Sequence, residues 1–424
     1  MSIIKEIVNT RLSLARLMGH KNFAQYRLVK SMAQTPEAVI DMLNQLKAAY
    51  QPVANAELKQ LTDFAKKIEG CDVQLMPWDY SYYSNKERES LFDFNDEELR
   101  PYFELSHVID GVFGLANKLY GLSFKQNDSV PKFDDEVKVY NVKDRNGIVV
   151  GYLYTDFFPR STKQGGAWMT NFREQSVDAT GRDIRPIVTL TMYFTRPTET
   201  KPSLLTYREV ETFLHEFGHG LHSLLSRCKY ESISGTNVFR DFVEMPSQFN
   251  ENYMREREFL DGFARHYITD EKIPQELIDK IQSSSRYGAG YACMRQLGFG
   301  YLDMAWHTVT DLVDGHIDEF EHNAVCPVKI FDDIDGCLIS TQFAHIFAGG
   351  YAAGYYGYKW AEVLDADAFE KFKEEGIFNQ TTAQSLVDNI LSKGGTELPM
   401  ELYKKFRGRE PRINALLARD GIKI

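Results

Sequence analysis

Residues 215–219 read His215-Glu216-Phe217-Gly218-His219, and they decide how the rest of the chain is interpreted. They lie in residues 205–227, where apolar residues recur every three or four positions, a pattern that predicts an amphipathic α-helix. Residues four apart on such a helix lie on one face, so His215 and His219 can direct two imidazoles at a single metal ion. Glu216 is then held beside that ion without having to bind it. The pattern predicts a zinc site with a carboxylate able to accept a proton from water.

Other residues of this predicted helix bear on the same site. Gly218 lies between the two histidines, and because glycine costs a helix interior up to ~1 kcal/mol relative to alanine, it indicates close packing of another element. Glu211, one turn before His215, could orient that imidazole or could simply be solvated. For His222, three residues after His219, we expect a supporting or packing role. The alternative to metal binding is that the two histidines are partly buried residues that hydrogen-bond to neighbours.

A third ligand must come from another element, because a catalytic zinc ion takes three protein ligands and keeps one position open. The best candidate is Glu244. Residues 235–237, Gly-Thr-Asn, predict a turn after the motif helix, and a second helix is expected to begin near Asp241 with Pro246 in its first turns. Such a helix–loop–helix would return Glu244 to the histidines, and Glu251, two turns further on, could orient an imidazole or be solvated. The alternative for Glu244 is a solvated carboxylate, which is favoured at a helix start.

The composition of the 424-residue chain is that of a globular protein, with 43% hydrophobic and 26% charged residues. A formal net charge of −11, without a Lys/Arg cluster, argues against nucleic-acid binding. The 5 cysteines are widely spaced and include no Cys-x-x-Cys pair, which indicates reduced thiols. No apolar run reaches the ~18 residues of a membrane-spanning helix, and the first residues lack the apolar block of a secretory signal. We therefore expect a cytoplasmic monomer that binds neither nucleic acid nor membrane.

The pattern along the chain predicts a mostly α-helical protein with a small β-sheet directly before the motif helix. It suggests three regions: helical residues 1–130, β-rich residues 131–200 and helical residues 201–424, which contain the metal site. The predicted strands, rich in Val, Thr, Tyr and Phe, are residues 137–142, 148–158 and 187–194. Residues 145–147, Arg-Asn-Gly, predict a hairpin turn between the first two strands.

Five segments carry more specific motifs: RSTKQGGAWM (160–169), HEFGH (215–219), SGTNVFRDFVEMPSQFNEN (234–252), FAHIFAGGYAAGYYGYKW (343–360) and FRGREP (406–411). In this order they resemble the thimet oligopeptidase, oligopeptidase A and dipeptidyl carboxypeptidase family of zinc metallopeptidases, over essentially the whole chain. The third segment is most similar to the dipeptidyl carboxypeptidase branch. The resemblance implies a large helical zincin-like metallopeptidase domain. Family members are longer at the N-terminus, so the resemblance implies either a C-terminal part of a longer protein or a naturally short relative. It also implies that residues 1–130 form part of a channel wall.

The resemblance also implies roles for particular residues. It implies one zinc ion per chain, bound by His215, His219 and Glu244, with Glu216 as the general base. In the Gly/Tyr-rich segment it implies contacts to substrate and transition state by four residues, with catalytic roles for His345 and Tyr358 and substrate binding by Tyr351 and Tyr355. Donors of this kind can stabilise the oxyanion of a tetrahedral intermediate. Without the resemblance, the tyrosines are interpreted as packing aromatics.

The function implied by the resemblance is hydrolysis of peptide bonds in short peptides. We expect release of C-terminal dipeptides, with internal cleavage by an oligopeptidase as the alternative. A second alternative is a fragment that binds peptide or metal without turnover. Arg160 and Lys163 could hold a peptide carboxylate or could be ordinary surface charges.

Overall fold

The computed structural model describes residues 1–93 and 95–422. The chain is mainly helical, with a small mixed β-sheet between two helical parts, which confirms the predicted fold class. The helices before the sheet are α1 (Ser2–Leu17), α2 (Phe23–Leu28), α3 (Pro36–Glu69), α4 (Tyr80–Phe92) and α5 (Leu105–Tyr120).

Seven strands follow in the described chain, and five of them form one sheet. The strands are β1 (Ser123–Gln126), β2 (Lys138–Lys143), β3 (Val149–Asp156), β4 (Trp168–Arg173), β5 (Ser176–Val177), β6 (Asp183–Ile184) and β7 (Ile187–Thr191). The sheet order is β1-β2-β3-β7-β4, and β5 and β6 form a separate antiparallel pair. Strands β3 and β7 are parallel and the other neighbours antiparallel, so β4 lies at one edge of the sheet.

The three predicted strands are present as β2, β3 and β7, each within a few residues of its expected limits. Beyond β7, the N–H groups of Met192 and Phe194 still donate to the carbonyls of Asp156 and Phe157, so pairing continues irregularly to the predicted end. The predicted hairpin turn is also confirmed: the Gly147 N–H donates to the Asp144 carbonyl, with φ at +79°. Strands β1 and β4 were not expected, and β1 lies inside residues 1–130, predicted as helical.

Helices make up most of the chain after the sheet. They are α6 (Tyr207–Leu224), α7 (Met245–Glu251), α8 (Arg257–Leu260), α9 (Gln275–Ser284), α10 (Ala289–Thr308), α11 (Ile317–Val325), α12 (Ala344–Phe347), α13 (Gly357–Glu375), α14 (Gln380–Leu386), α15 (Pro399–Arg407) and α16 (Asn414–Arg419). Within the described part of the chain, no helix has both the length and the apolar character needed to cross a lipid bilayer.

The three largest groups of buried apolar side chains among the described residues hold most of these elements together. The largest joins the sheet to α5, α6, α7 and α13, and Phe213 and Phe217 of α6 are fully buried in it. A second group lies between α3 and α10 and includes Leu46 and Leu297. A third surrounds Trp306 of α10 and joins α1 and α11 to the Gly/Tyr-rich segment. Helix α6 is therefore held from both sides, by the sheet and by α7.

Candidate functional site

The motif helix α6 begins with a reciprocal cap. The N–H of Glu209 donates to the Thr206 side chain (3.1 Å), and the N–H of Thr206 donates to the Glu209 carboxylate (2.7 Å). This capping box satisfies two amides that have no partner inside the helix. Thr-x-x-Glu before an apolar run is a sequence signature of this cap, and it would have corrected the expected helix start from residue 205 to Tyr207.

Gly218 brings α6 and α7 into backbone contact. A β-carbon at Gly218 would lie 2.6 Å from both the carbonyl oxygen of Pro246 and the α-carbon of Ser247. The expectation of close packing at this glycine is confirmed. Helix α7 begins at Met245, with a proline in its first turn as expected, whereas Asp241 lies in the preceding turn rather than in the helix.

Glu244 directly precedes α7 and meets the two histidines of α6. The Nε2 atoms of His215 and His219 lie 3.3 and 3.2 Å from the same carboxylate oxygen of Glu244. One donor atom from each of the three side chains lies within 4.8 Å of the others. Burial would raise the pKa of Glu244, but hydrogen bonds from the two imidazoles outweigh it and lower that pKa well below its usual range. Two imidazoles and one carboxylate match the donor set of a catalytic zinc site, so these residues fit a zinc ion.

The far side of the His215 ring is held by Glu251. The Nδ1 atom of His215 lies 2.6 Å from a carboxylate oxygen of Glu251, which fixes the ring and leaves Nε2 directed at Glu244. Glu211, the other candidate for this role, has no hydrogen bond to either histidine within the described residues. Burial and the nearby charge of Glu251 raise the pKa of Glu211 above its usual range.

Glu216 is buried beside the two histidines, with 7% of its surface exposed. Burial raises its pKa, while the nearby imidazoles and the backbone N–H of Met169 in β4 oppose that rise. A carboxylate with a raised pKa next to a metal-ligand cluster is suited to exchanging protons with a reacting group. Strand β4, which the sequence pattern did not predict, thus forms part of the site.

The Gly/Tyr-rich segment extends from α12 to the start of α13 and lies against this cluster. The Tyr351 hydroxyl is 3.4 Å from Glu244, on the carboxylate oxygen that does not face the histidines. Tyr358 stacks on Tyr351, with ring centroids 5.2 Å apart. The His345 ring lies 5.8 Å from that of Tyr351. The structure therefore brings these three aromatic groups together beside the predicted metal ligands.

Tyr355 belongs to the same aromatic cluster but its hydroxyl has another partner. Its ring lies 5.4 Å from that of Tyr358, and its hydroxyl is 3.1 Å from the side-chain oxygen of Gln296 in α10. Two further residues that sequence reasoning missed also contact the segment: Arg240 lies over the Tyr351 ring (4.5 Å), and Gln248 donates to the Tyr358 carbonyl (3.4 Å). These contacts join distant parts of the chain, so no local pattern signals them.

Three other candidate residues have internal roles. Arg160 and Lys163 both pair with Asp156, at 2.8 and 2.9 Å, and the Lys163 ammonium also donates to the Phe158 carbonyl. They therefore stabilise the sheet end, rather than being free to hold a peptide carboxylate. His222 is fully buried, and neither of its ring nitrogens has a hydrogen-bond partner among the described residues. Burial lowers its pKa to about 3, so it packs as a neutral group.

A cavity of about 1000 Å³ opens beside the cluster. Glu251, Gln248, His345 and Tyr358 form the part of its wall nearest to the predicted metal ligands. Other wall residues are cationic: they are Arg88, Arg208, Arg255, Arg295 and Lys359. Arg88 pairs with Asp96 and Lys359 with Glu362. Within the described chain, the other three arginines have no carboxylate within ion-pairing distance, and they share the wall with the carboxylates of Asp96, Glu211, Glu251 and Glu362.

The chain is similar to known peptidases along almost its whole length. The sequence model for peptidase family M3 matches residues 1–422. The chain is 43% identical over 423 residues to oligopeptidase A of Escherichia coli (strain K12), covering 99% of this chain and 62% of that protein. It is 36% identical over 428 residues to dipeptidyl carboxypeptidase of the same organism, covering 100% of this chain and 62% of that protein. The chain therefore spans less than two thirds of the length of these relatives.

A solved structure supports the fold. The M32 carboxypeptidase from Deinococcus radiodurans R1 superposes with a TM-score of 0.56 at 13% identity, over 99% of this chain and 73% of that one. Such low identity is evidence for a shared fold alone. The family match covers nearly the whole sequence, and the names of the two curated relatives are those to which the sequence motifs pointed. The chain belongs to peptidase family M3.

Proposed function

We propose that this chain is a metallopeptidase that hydrolyses peptide bonds in short peptides. The observation that carries the proposal is the convergence of His215, His219 and Glu244 within 4.8 Å, with Glu216 buried beside them. One zinc ion per chain is the cofactor that this donor set fits. When bound, zinc supplies Lewis acidity, which polarises a carbonyl group and acidifies water. Membership of peptidase family M3 supports the same conclusion.

The protein groups divide the remaining chemistry between them. Glu216 takes a proton from the attacking water and passes it to the leaving amine, a role that suits its raised pKa. Tyr358, assisted by Tyr351 or His345, donates a hydrogen bond to the carbonyl oxygen as negative charge develops on it. Tyr355 and Tyr351 line the substrate path. Burial raises the pKa of Tyr351 and Tyr358, so both phenols stay protonated and able to donate.

Strand β4 offers a way to hold the substrate backbone. It lies at the edge of the sheet, and the backbone N–H of its Met169 opposes the rise in the pKa of Glu216. An extended peptide that pairs with this edge gains main-chain hydrogen bonds that do not depend on its sequence. Such pairing would align a scissile bond with Glu216 for peptides of varied sequence.

For the mode of cleavage we propose release of C-terminal dipeptides. The support is Arg208, Arg255 and Arg295, which line the cavity next to the cluster without an ion-pair partner among the described residues and could bind a substrate's terminal carboxylate. Internal cleavage is the second candidate, favoured by the higher identity to the relative named oligopeptidase A, 43% against 36% for the dipeptidyl carboxypeptidase.

The first experiment tests catalysis itself. Purified wild type should contain close to one zinc ion per chain and cleave short peptides in a chelator-sensitive manner, whereas Glu216→Gln should retain the zinc but lose turnover. Zinc without turnover in the wild type would contradict the proposal and favour a fragment that binds peptide or metal. That outcome is meaningful here because the chain matches only 62% of its relatives' length.

The second experiment separates the two modes. One N-blocked peptide is offered as the free acid and as the C-terminal amide, and products are identified by mass spectrometry. Release of a dipeptide from the acid with no cleavage of the amide supports the first mode. Equal cleavage of both forms at an internal bond supports the second.

A further inference from the structure

A buried carboxylate outside the metal cluster holds the Gly/Tyr-rich segment in place. Asp303 lies on α10 with none of its surface exposed. Its two carboxylate oxygens accept hydrogen bonds from three consecutive backbone N–H groups, those of Ala353 (2.8 Å), Gly354 (2.8 Å) and Tyr355 (2.9 Å). These amides form the turn between Tyr351 and Tyr358. Buried amides need partners, and bonds to an ionised carboxylate are about twice as strong as neutral ones.

The same turn contains a backbone strain that the carboxylate helps to offset. Ala353 has φ at +51°, in the left-handed region that residues with a β-carbon rarely adopt. That conformation directs successive N–H groups towards one point, which is how backbone turns bind anions. Asp303 supplies the anion from within the protein.

His307, one helical turn after Asp303, extends the network. Its Nδ1 atom hydrogen-bonds to the backbone carbonyl of Asp303 (2.8 Å) and also lies 2.8 Å from a carboxylate oxygen of that residue. Its Nε2 atom lies 3.0 Å from the guanidinium of Arg11 in α1. Because a guanidinium only donates hydrogen bonds, Nε2 accepts and the ring proton is on Nδ1, directed at Asp303. Arg11 also donates to the carbonyl of Ile346, the residue after His345 (2.7 Å). The network therefore holds the segment at two places, Ile346 and residues 353–355.

We propose that Asp303 is a positioning residue, which with His307 and Arg11 sets where the aromatic groups of residues 345–358 lie relative to the metal ligands. Asp303 touches neither the metal-ligand cluster nor the cavity wall, and it acts through Tyr351 and Tyr358. Its kinetic consequence rests on the proposed peptidase function. An asparagine at this position could still accept with one oxygen, but its amide group would face a backbone N–H and repel it. Asp303→Asn should therefore displace the turn while preserving the size of the side chain.

The test compares Asp303→Asn with a matched variant, Glu57→Gln. The Glu57 carboxylate accepts the backbone N–H groups of Gly290 (3.0 Å) and Tyr291 (2.8 Å) at the start of the same helix, far along it from Asp303. Both variants remove one negative charge that binds backbone amides. Asp303→Asn should lower kcat for a short peptide by about 10–100-fold, with KM and zinc content nearly unchanged. Glu57→Gln should change kcat by less than about twofold.

A double-mutant cycle with Tyr358→Phe distinguishes positioning from general damage. If Asp303 acts through the tyrosines, the double variant should have a kcat less than about threefold below that of Tyr358→Phe alone. The combined loss in kcat would then be far smaller than the product of the two single losses. Independent, multiplicative losses would overturn the proposal. So would an unchanged kcat in Asp303→Asn. Should Asp303→Asn fail to fold, the same double-mutant cycle is carried out with Arg11→Gln. This variant alone should lower kcat by about 3–10-fold.

Hydrogen exchange gives a readout that does not need turnover. In Asp303→Asn the amides of residues 353–355 should exchange at least about tenfold faster than in wild type, while amides of α6 stay protected. Unchanged protection at residues 353–355 would overturn the proposal. A wild type without peptidase activity would contradict the proposed function only, since the exchange measurement still tests the role of Asp303.

Discussion

A β-carbon on Gly218 would lie 2.6 Å from the carbonyl oxygen of Pro246, so the backbones of α6 and α7 touch at this point. The contact sets the distance from Glu244, which directly precedes α7, to His215 and His219. Gly218→Ala is expected to push α7 away, lower the free energy of unfolding by ~1–3 kcal/mol and weaken zinc binding by about tenfold or more. Urea unfolding and zinc competition with a chelator measure the two effects.

Gly220→Ala is the matched control. A β-carbon there meets only side-chain atoms of Leu190 and Val188, at 3.4 and 3.7 Å, which are ordinary contacts. Since alanine favours a helix interior, this variant should be neutral or stabilising by up to ~1 kcal/mol. Equal losses in both variants would show that the contact with Pro246 has no special importance.

Glu251→Gln should weaken zinc binding by about 10–100-fold, because a charged partner on the outer nitrogen orients His215 and increases its basicity. Glu211→Gln, one turn before His215 on α6, should have a much smaller effect. Zinc affinity measured by chelator competition compares the two variants. An equal weakening in both would contradict the assignment of this role to Glu251.

His222→Leu should change how stability depends on pH. Burial lowers the pKa of His222 to about 3, whereas its ordinary value is 6.5. Between these values the unfolded chain binds a proton that the folded chain does not. Stability should therefore fall with decreasing pH, by at most about 1.4 kcal/mol per unit from this group.

In His222→Leu the folded and unfolded chains no longer differ in proton binding at this position. Its free energy of unfolding should therefore depend less on pH than that of wild type between about pH 6.5 and pH 3. Unfolding is followed by urea titration of metal-free wild type and variant, so that loss of zinc in acid does not contribute. Parallel stability curves for the two proteins would count against a neutral, buried His222.

Arg295→Gln tests the carboxylate site proposed for substrates. Loss of a charge-assisted hydrogen bond should raise KM for a free-acid peptide by about 10–100-fold and leave any cleavage of the matching amide unchanged. The control is Arg182→Gln, since Arg182 is an exposed arginine that pairs with Asp178 away from the cavity. A similar KM change for acid and amide would argue against recognition of a terminal carboxylate by Arg295.

Much of the metal site could be predicted because the residues that form it lie close together in the sequence. The spacing of His215 and His219 on an amphipathic helix, a turn after it, and Glu244 before a proline-started helix all lie within residues 205–246. Gly218 could be interpreted for the same reason: glycine inside an otherwise regular helix indicated a close neighbour, and the structure has Pro246 there.

The parts that could not be predicted depend on how distant elements meet. Strands β1 (Ser123–Gln126) and β4 (Trp168–Arg173) are short and largely exposed edge strands, so they lack the alternation of apolar and polar residues that signals a strand. Glu211 and Glu251 were both candidates for orienting a ligand histidine. Only the way in which α6 and α7 cross shows that Glu251 contacts His215. Asp303 is 50 positions from its first amide partner, and no local pattern connects them.

The hydrogen bond from Arg11 to the carbonyl of Ile346 joins residues 335 positions apart. Contacts of such sequence separation form late in folding, because the chain must close a long loop before it gains them. The metal ligands, by contrast, lie within α6, α7 and the single loop that joins them. During synthesis or refolding the chain should therefore acquire a metal-binding centre first, and the tyrosines should reach their final positions only after α1 has docked.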